Sequence, residues 1–230
     1  MHRLFAILVG PLRGSGVHSL LMRETTILID GPIGQLEALY LDHPEPHGLA
    51  LICHPNPVQG GTMLNKVVST LQRTARDAGL ITLRFNYRGV GASSGIHDMA
   101  TGEVDDAEAA TTWIREKHPS LPITLLGFSF GGYVAAKLGG RLESKGETIS
   151  HLLMVAAAVI RLSDIDLLPQ GCRLTLIQPE IDEVIDPQAV YDYSASMNRP
   201  HELLKVAGCG HFFHGKMTDL KDLVLPRLLN

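Results

Sequence analysis

Cysteine is scarce in this chain of 230 residues, with only Cys53, Cys172 and Cys209 present. An odd count without a CxxC spacing cannot pair completely and supplies no zinc-ribbon pattern, which favours a reducing compartment and points to the cytoplasm. Aromatic residues make up 5% and charged residues 19% of the chain, and no basic cluster stands out. With a formal net charge of −4, there is no electrostatic reason to expect nucleic acid or an anionic membrane as a partner. Long hydrophobic runs are missing too. The N-terminal run, Leu4 to Val9 after Arg3, breaks at Gly10-Pro11. It is shorter than a secretory core and far too short to span a bilayer. Residues 1–21 therefore read as an extension of uncertain status, with translation expected to start at Met22 and residues 22–230 forming one domain. A chain of this length can bury roughly 70–75% of its unfolded surface and needs no disulfide or metal to fold.

What is present is a regular alternation. Thr25–Asp30 and Gln35–Asp42 read as strands joined by a Gly-Pro-Ile-Gly hairpin turn. Short apolar strands follow at Gly48–Cys53, Leu80–Phe85, Pro122–Leu126, His151–Ala156, Cys172–Gln178 and Glu202–Val206. Helical spacing occupies Asn65–Ala78, about Gly102–Lys117, Phe130–Leu142, Asp186–Met197 and about Lys216–Leu229. Asp186-Pro187 is a cap followed by a first-turn proline. Glu103, Asp105 and Asp106 suit the positive end of their helix dipole. Strands alternating with helices imply an α/β fold: a doubly wound, mostly parallel sheet with helices on both faces.

Between the strand ending at Leu126 and the helix beginning at Phe130 lies Gly127-Phe128-Ser129-Phe130-Gly131. A serine between two glycines at a strand-to-helix turn is held in a strained conformation with its hydroxyl at the end of the sheet. Such a hydroxyl needs a base to take its proton and an acid to orient that base. In an open α/β sheet both must sit on loops at the carboxyl ends of strands. His211, in Gly208-Cys209-Gly210-His211, directly follows the last strand; His214 is the rival, placed at the start of the terminal helix. His43, His47, His97, His118 and His151 have no evident reason to converge on Ser129. For the acid, Glu180, Asp182, Glu183 and Asp186 compete after the Cys172–Gln178 strand. Asp186 is claimed as a helix cap, and the two glutamates are long enough to face solvent. Asp182 precedes Val184-Ile185, which can anchor the loop, and is the preferred acid.

The order Ser129, Asp182, His211 resembles that of the α/β hydrolases. Four stretches carry a closer likeness to small lid-less bacterial carboxylesterase-like proteins related to dienelactone hydrolases. They are Cys53-His54-Pro55-Asn56-Pro57 with Gly60-Gly61-Thr62-Met63, Arg84 to Gly91, the serine turn, and Gly210 to His214. Dienelactone hydrolases proper use a cysteine nucleophile where this chain has Ser129. The resemblance implies an oxyanion hole built from the backbone N–H groups of Phe130 and Asn56, since Pro55 and Pro57 have none to give. It implies a cofactor-independent, metal-free serine hydrolase acting on small or short-acyl carboxylic esters through an acyl-enzyme. A peptidase or thioesterase on the same scaffold, or a silent binding protein, are the alternatives. About fifteen residues separate the sixth and seventh strands, too few for a cap domain. Gly89-Val90-Gly91 to Gly95 could pass for a dinucleotide fingerprint, but its third glycine is misplaced and it reads as a turn.

Overall fold

The computed structural model describes residues 22–98, 101–162 and 168–229; the extension at residues 1–21 lies outside the described residues. Eight strands form one sheet: β1 (Thr25–Gly31), β2 (Gly34–Leu41), β3 (Gly48–Cys53), β4 (Leu80–Phe85), β5 (Ile123–Phe128), β6 (His151–Val155), β7 (Arg173–Pro179) and β8 (Glu202–Val206). Five α-helices accompany them: α1 (Lys66–Asp77), α2 (Thr101–Lys117), α3 (Phe130–Ser144), α4 (Pro187–Ser196) and α5 (Met217–Leu228). The strand order is β1-β2-β4-β3-β5-β6-β7-β8. The β1–β2 hairpin is antiparallel and β2 joins β4 antiparallel, while every other pairing is parallel.

The central strands are buried on both faces, as their unbroken apolar runs require. Side chains alternate between two cores because successive residues of a strand point to opposite faces. From β3, Leu49, Leu51 and Cys53 enter one core with α2 and α3. Ala50 and Ile52 enter the other with α1 and α5. The predicted doubly wound architecture is thus present, with helices on both faces. Boundaries differ in detail. The fifth strand runs two residues past Leu126, because Gly127 and Phe128 still pair with Met154 and Val155 of β6. The predicted dinucleotide decoy closes on itself, Gly89 N–H donating to the Ser94 carbonyl at 3.1 Å, and α2 starts only at Thr101.

Two features place the site. Strand β3 has β4 on one side and β5 on the other, so the winding reverses beside it and opens a crevice at the carboxyl ends of these strands. Between β6 and β7, the described residues hold a single 3-10 turn, Val159–Arg161. The connection is too short for a cap with its own core. Among the described residues, no helix is long and apolar enough to cross a membrane.

Candidate active site

Ser129 leaves β5 with φ 56° and ψ −120°, a region that side-chain-bearing residues seldom occupy. Crowded backbone holds it there. A Cβ at Gly127 would lie 2.1 Å from the Gly131 carbonyl oxygen, and one at Gly131 would lie 2.2 Å from the Cys53 carbonyl oxygen. Glycine is therefore required on both flanks by contact as much as by torsion. The Ser129 N–H donates to the Val155 carbonyl at 2.9 Å, and its carbonyl accepts from Gly132 N–H at 3.0 Å and Ala158 N–H at 3.1 Å. The turn is pinned by the end of β6, the loop after it and the first turn of α3.

The imidazole of His211 arrives from the loop after β8. Its Nε2 lies 3.0 Å from Ser129 Oγ, and its Nδ1 lies 2.8 Å and 3.0 Å from the two oxygens of Asp182. A carboxylate accepts only, so Nδ1 carries the proton and Nε2 presents a lone pair to the serine hydroxyl. The three side chains, 82 and 29 positions apart in pairs along the chain, are each less than one-tenth exposed. Phe128 and Phe212 enclose the imidazole, with ring centroids 4.9 Å and 5.0 Å away. An imidazole so fixed can take a proton from Ser129 and hold the resulting charge against Asp182.

Asp182 is held in turn. Its Oδ1 accepts from the N–H groups of Val184 and Ile185 at 2.8 Å and 2.7 Å, and its Oδ2 accepts from Gln178 Nε2 at 3.2 Å. Burial pushes its carboxyl up, but the bonds from His211, Ile185 and Val184 outweigh this and keep it below the ordinary carboxylate range. Of the competing acids, Asp186 caps α4 by accepting from Gln188 N–H at 3.0 Å, as expected. Glu183 is exposed, as expected, yet it also holds main chain at the site. Its Oε2 accepts the backbone N–H of His211 at 3.0 Å, and this bond, followed by one from its own N–H, lowers its carboxyl. A Cβ at Gly210 would come within 2.8 Å of the same oxygen. The glycine next to His211 was the signal for this packing, although it did not say which acid approached.

His214 is exposed, tilted against Phe212, and makes no contact with Ser129. His54 is fully buried. Its Nδ1–H donates to the Pro55 carbonyl at 2.7 Å and its Nε2 accepts from Tyr87 N–H at 3.2 Å. Burial, partly offset by the Pro55 bond, pushes its pKa down to about 3. It is a neutral brace between the loops after β3 and β4. Three of the dismissed histidines lie elsewhere: His47 bonds the Ala78 carbonyl, His118 meets Tyr40 and His151 meets Thr175. His97 does not reach Ser129 either: its ring stands edge-on to Phe130 at 6.0 Å and its Nδ1 meets the buried Glu103 carboxylate. Asp106, expected only to favour the helix dipole, is buried and binds Arg88 through its backbone N–H, Nε and Nη2.

The two predicted oxyanion donors stand at the start of α3 and after β3. Phe130 is the first residue of α3, so its N–H has no acceptor within the helix. Asn56 caps the 3-10 turn Pro57–Gln59 through its side chain, which accepts from Val58 N–H. Its carbonyl accepts from Gln59 and Gly61 N–H, and its own N–H has no partner among the described residues. The approach of Gly131 to the Cys53 and His54 carbonyls brings the loop after β3 against the start of α3. Among the described residues, no group of three histidine, cysteine or carboxylate side chains gathers as a metal site.

Comparison with known proteins agrees with this fold. Residues 45–177 match the family described as serine aminopeptidase, S33. An α/β serine hydrolase homologue from Coxiella burnetii is 36% identical, with 91% of this chain and all of the other covered and a TM-score of 0.83. An α/β serine hydrolase without a lid from Xanthomonas campestris is 34% identical, with 96% of each chain covered and a TM-score of 0.81. An uncharacterized protein of Rickettsia prowazekii is 32% identical over 213 residues, 88% of each chain. The chain belongs to the α/β-hydrolase superfamily, in the serine aminopeptidase, S33, family.

Proposed function

We propose that this protein is a serine carboxylesterase that cleaves small or short-acyl esters through an acyl-enzyme. The carrying observation is the continuous contact from Ser129 Oγ to His211 Nε2 and from His211 Nδ1 to Asp182. Ser129 attacks the ester carbonyl while His211 takes its proton, and Asp182 stabilises the imidazolium. The oxyanion of the tetrahedral intermediate is held by the N–H groups of Phe130 and Asn56. The C–O bond then breaks, His211 protonates the departing alcohol, and water repeats the cycle on the acyl-serine. Size and polarity of the substrate follow from the mouth. Val58, Leu64, Ile96, Ile160, Ile181 and Phe212, all from loops at the carboxyl ends of the strands, are exposed. An open apolar rim suits a small, largely apolar molecule. The three free cysteines support action in a reducing compartment, the cytoplasm.

A fluorophosphonate probe tests the assignment: it labels the folded protein and fails to label Ser129→Ala. Absence of labelling on the folded wild type would favour a binding protein instead. A second activity has one specific support, the family's description as a serine aminopeptidase. Nitrophenyl esters of rising acyl length, run beside aminoacyl and thioester substrates, distinguish the two. The esterase proposal expects the highest kcat/KM on short acyl esters, and preference for aminoacyl amides would replace it with the peptidase.

A further inference from the structure

The loop after β3 and the loop after β8 each end in residues that acid–base chemistry at Ser129 leaves unused. They meet across a pocket of about 320 Å³ lined by Asn65, Lys66 and Val67 at the start of α1 and by Phe212 and His214. We propose that this pocket receives the departing alcohol of the ester, and that Lys66 and His214 select alcohols bearing a carboxylate. The assignment rests on serine-hydrolase chemistry at Ser129.

Position comes from the proton. When the tetrahedral intermediate collapses, the C–O bond breaks and the electron pair goes to the departing oxygen. That oxygen takes its proton from His211 Nε2, so it must lie within hydrogen-bond reach of this atom. The remainder of the alcohol then extends past the imidazole. Phe212 stands there, edge-on to His211 at 5.0 Å and 6.3 Å from Phe128. The same ring forms one wall of the pocket.

The class of alcohol comes from the lining. Phe212 is 40% exposed and offers a flat apolar wall. Lys66 Nζ and the His214 ring have no hydrogen-bond or ion-pair partner among the described residues, and no acidic side chain lines the pocket. Lys216, in the same loop as His214, differs in being paired with Asp219 at 2.9 Å. An unpaired ammonium and a free imidazole donor at the edge of an aromatic wall suit a carboxylate carried on an apolar body.

Two acetyl esters of the same shape test this: 4-acetoxybenzoate, with a charged alcohol portion, and its neutral carboxamide. Both leave the same acetyl-enzyme, so the deacylation rate is common to them and only acylation reads the pocket. The wild type is expected to favour the carboxylate in kcat/KM by about fivefold, the scale of one partly exposed charge contact. In the Lys66→Met/His214→Gln double variant this ratio falls to about one, with deacylation unchanged. A wild-type ratio of one, or a ratio that survives in the double variant, overturns the proposal. If an acetyl-enzyme forms and the ratio is flat, the pocket assignment alone fails. If no acetyl-enzyme forms on Ser129, the hydrolase assignment fails and takes the pocket with it.

Discussion

At the turn between β5 and α3 the chain is fixed by backbone crowding, whereas at the loops after β7 and β8 it is fixed by side chains bonded to main chain. In the first region Gly127 and Gly131 have no room for a methyl group, and Ser129 is driven to positive φ by the surrounding strands. In the second region, Asp182 binds two backbone N–H groups of its own loop and Glu183 binds the backbone N–H of His211. Crowding is all-or-none, because a side chain either fits or displaces a strand. A hydrogen-bonded loop yields by degrees, because each bond contributes only about 1–3 kcal/mol. The nucleophile turn should therefore fail abruptly on substitution, and the acid–base loops gradually.

The largest expected effect separates two histidines three residues apart. His211→Ala should reduce kcat by several orders of magnitude, in line with roughly 10⁶-fold for loss of the base in other serine hydrolases. His214→Ala should retain most activity on neutral esters. Initial rates on a nitrophenyl ester decide this, and a reversal would move the base to His214. Next comes Gly131→Ala. A new methyl group 2.2 Å from the Cys53 carbonyl oxygen should cost roughly 1–3 kcal/mol or more and appear as a lowered Tm with loss of probe labelling. A variant of unchanged Tm and activity would show that the turn yields, erasing the contrast between the regions.

A smaller effect belongs to Glu183. Glu183→Ala should lower kcat/KM by roughly three- to tenfold through a looser His211, the scale of one hydrogen bond. Glu183→Gln should recover most of the loss, because the amide oxygen still accepts the N–H. Equal loss in both variants would point to charge instead of the bond. The smallest effect is on stability against pH. Burial pushes His54 down to about 3 and His151 down to about 4, from an ordinary 6.5. The unfolded chain binds protons that the folded chain refuses in this window. Stability is therefore full above about pH 6.5 and falls as pH drops towards 4. Urea midpoints measured across this range should slope accordingly, and His54→Gln should flatten the slope. A wild-type midpoint independent of pH would show that these imidazoles are less enclosed than their burial indicates.

The same contrast explains what was legible in the residues. Gly-X-Ser-X-Gly between an apolar strand and a helix announces its own geometry, since every contact that strains Ser129 lies within a few positions or on adjacent strands. Asp186 announced itself as a cap because its partner is two residues away. Glu183 is exposed as expected, but its bond to the His211 N–H was not legible because that partner is 28 positions distant. Nor could the residues show where His97 goes, because its approach to Phe130 depends on how the loop after β4 folds over α3.

By itself, the sequence determined the alternation of strands and helices, the two-sided burial of the central strands, and the conformation at Ser129. These depend on periodicity and on steric limits between near neighbours. Tertiary structure alone decided the strand order, the distances at which Ser129, Asp182 and His211 meet from three separate loops, and that Glu183 anchors the His211 loop. Those outcomes depend on distances between segments far apart in the chain, and no local pattern encodes such a distance.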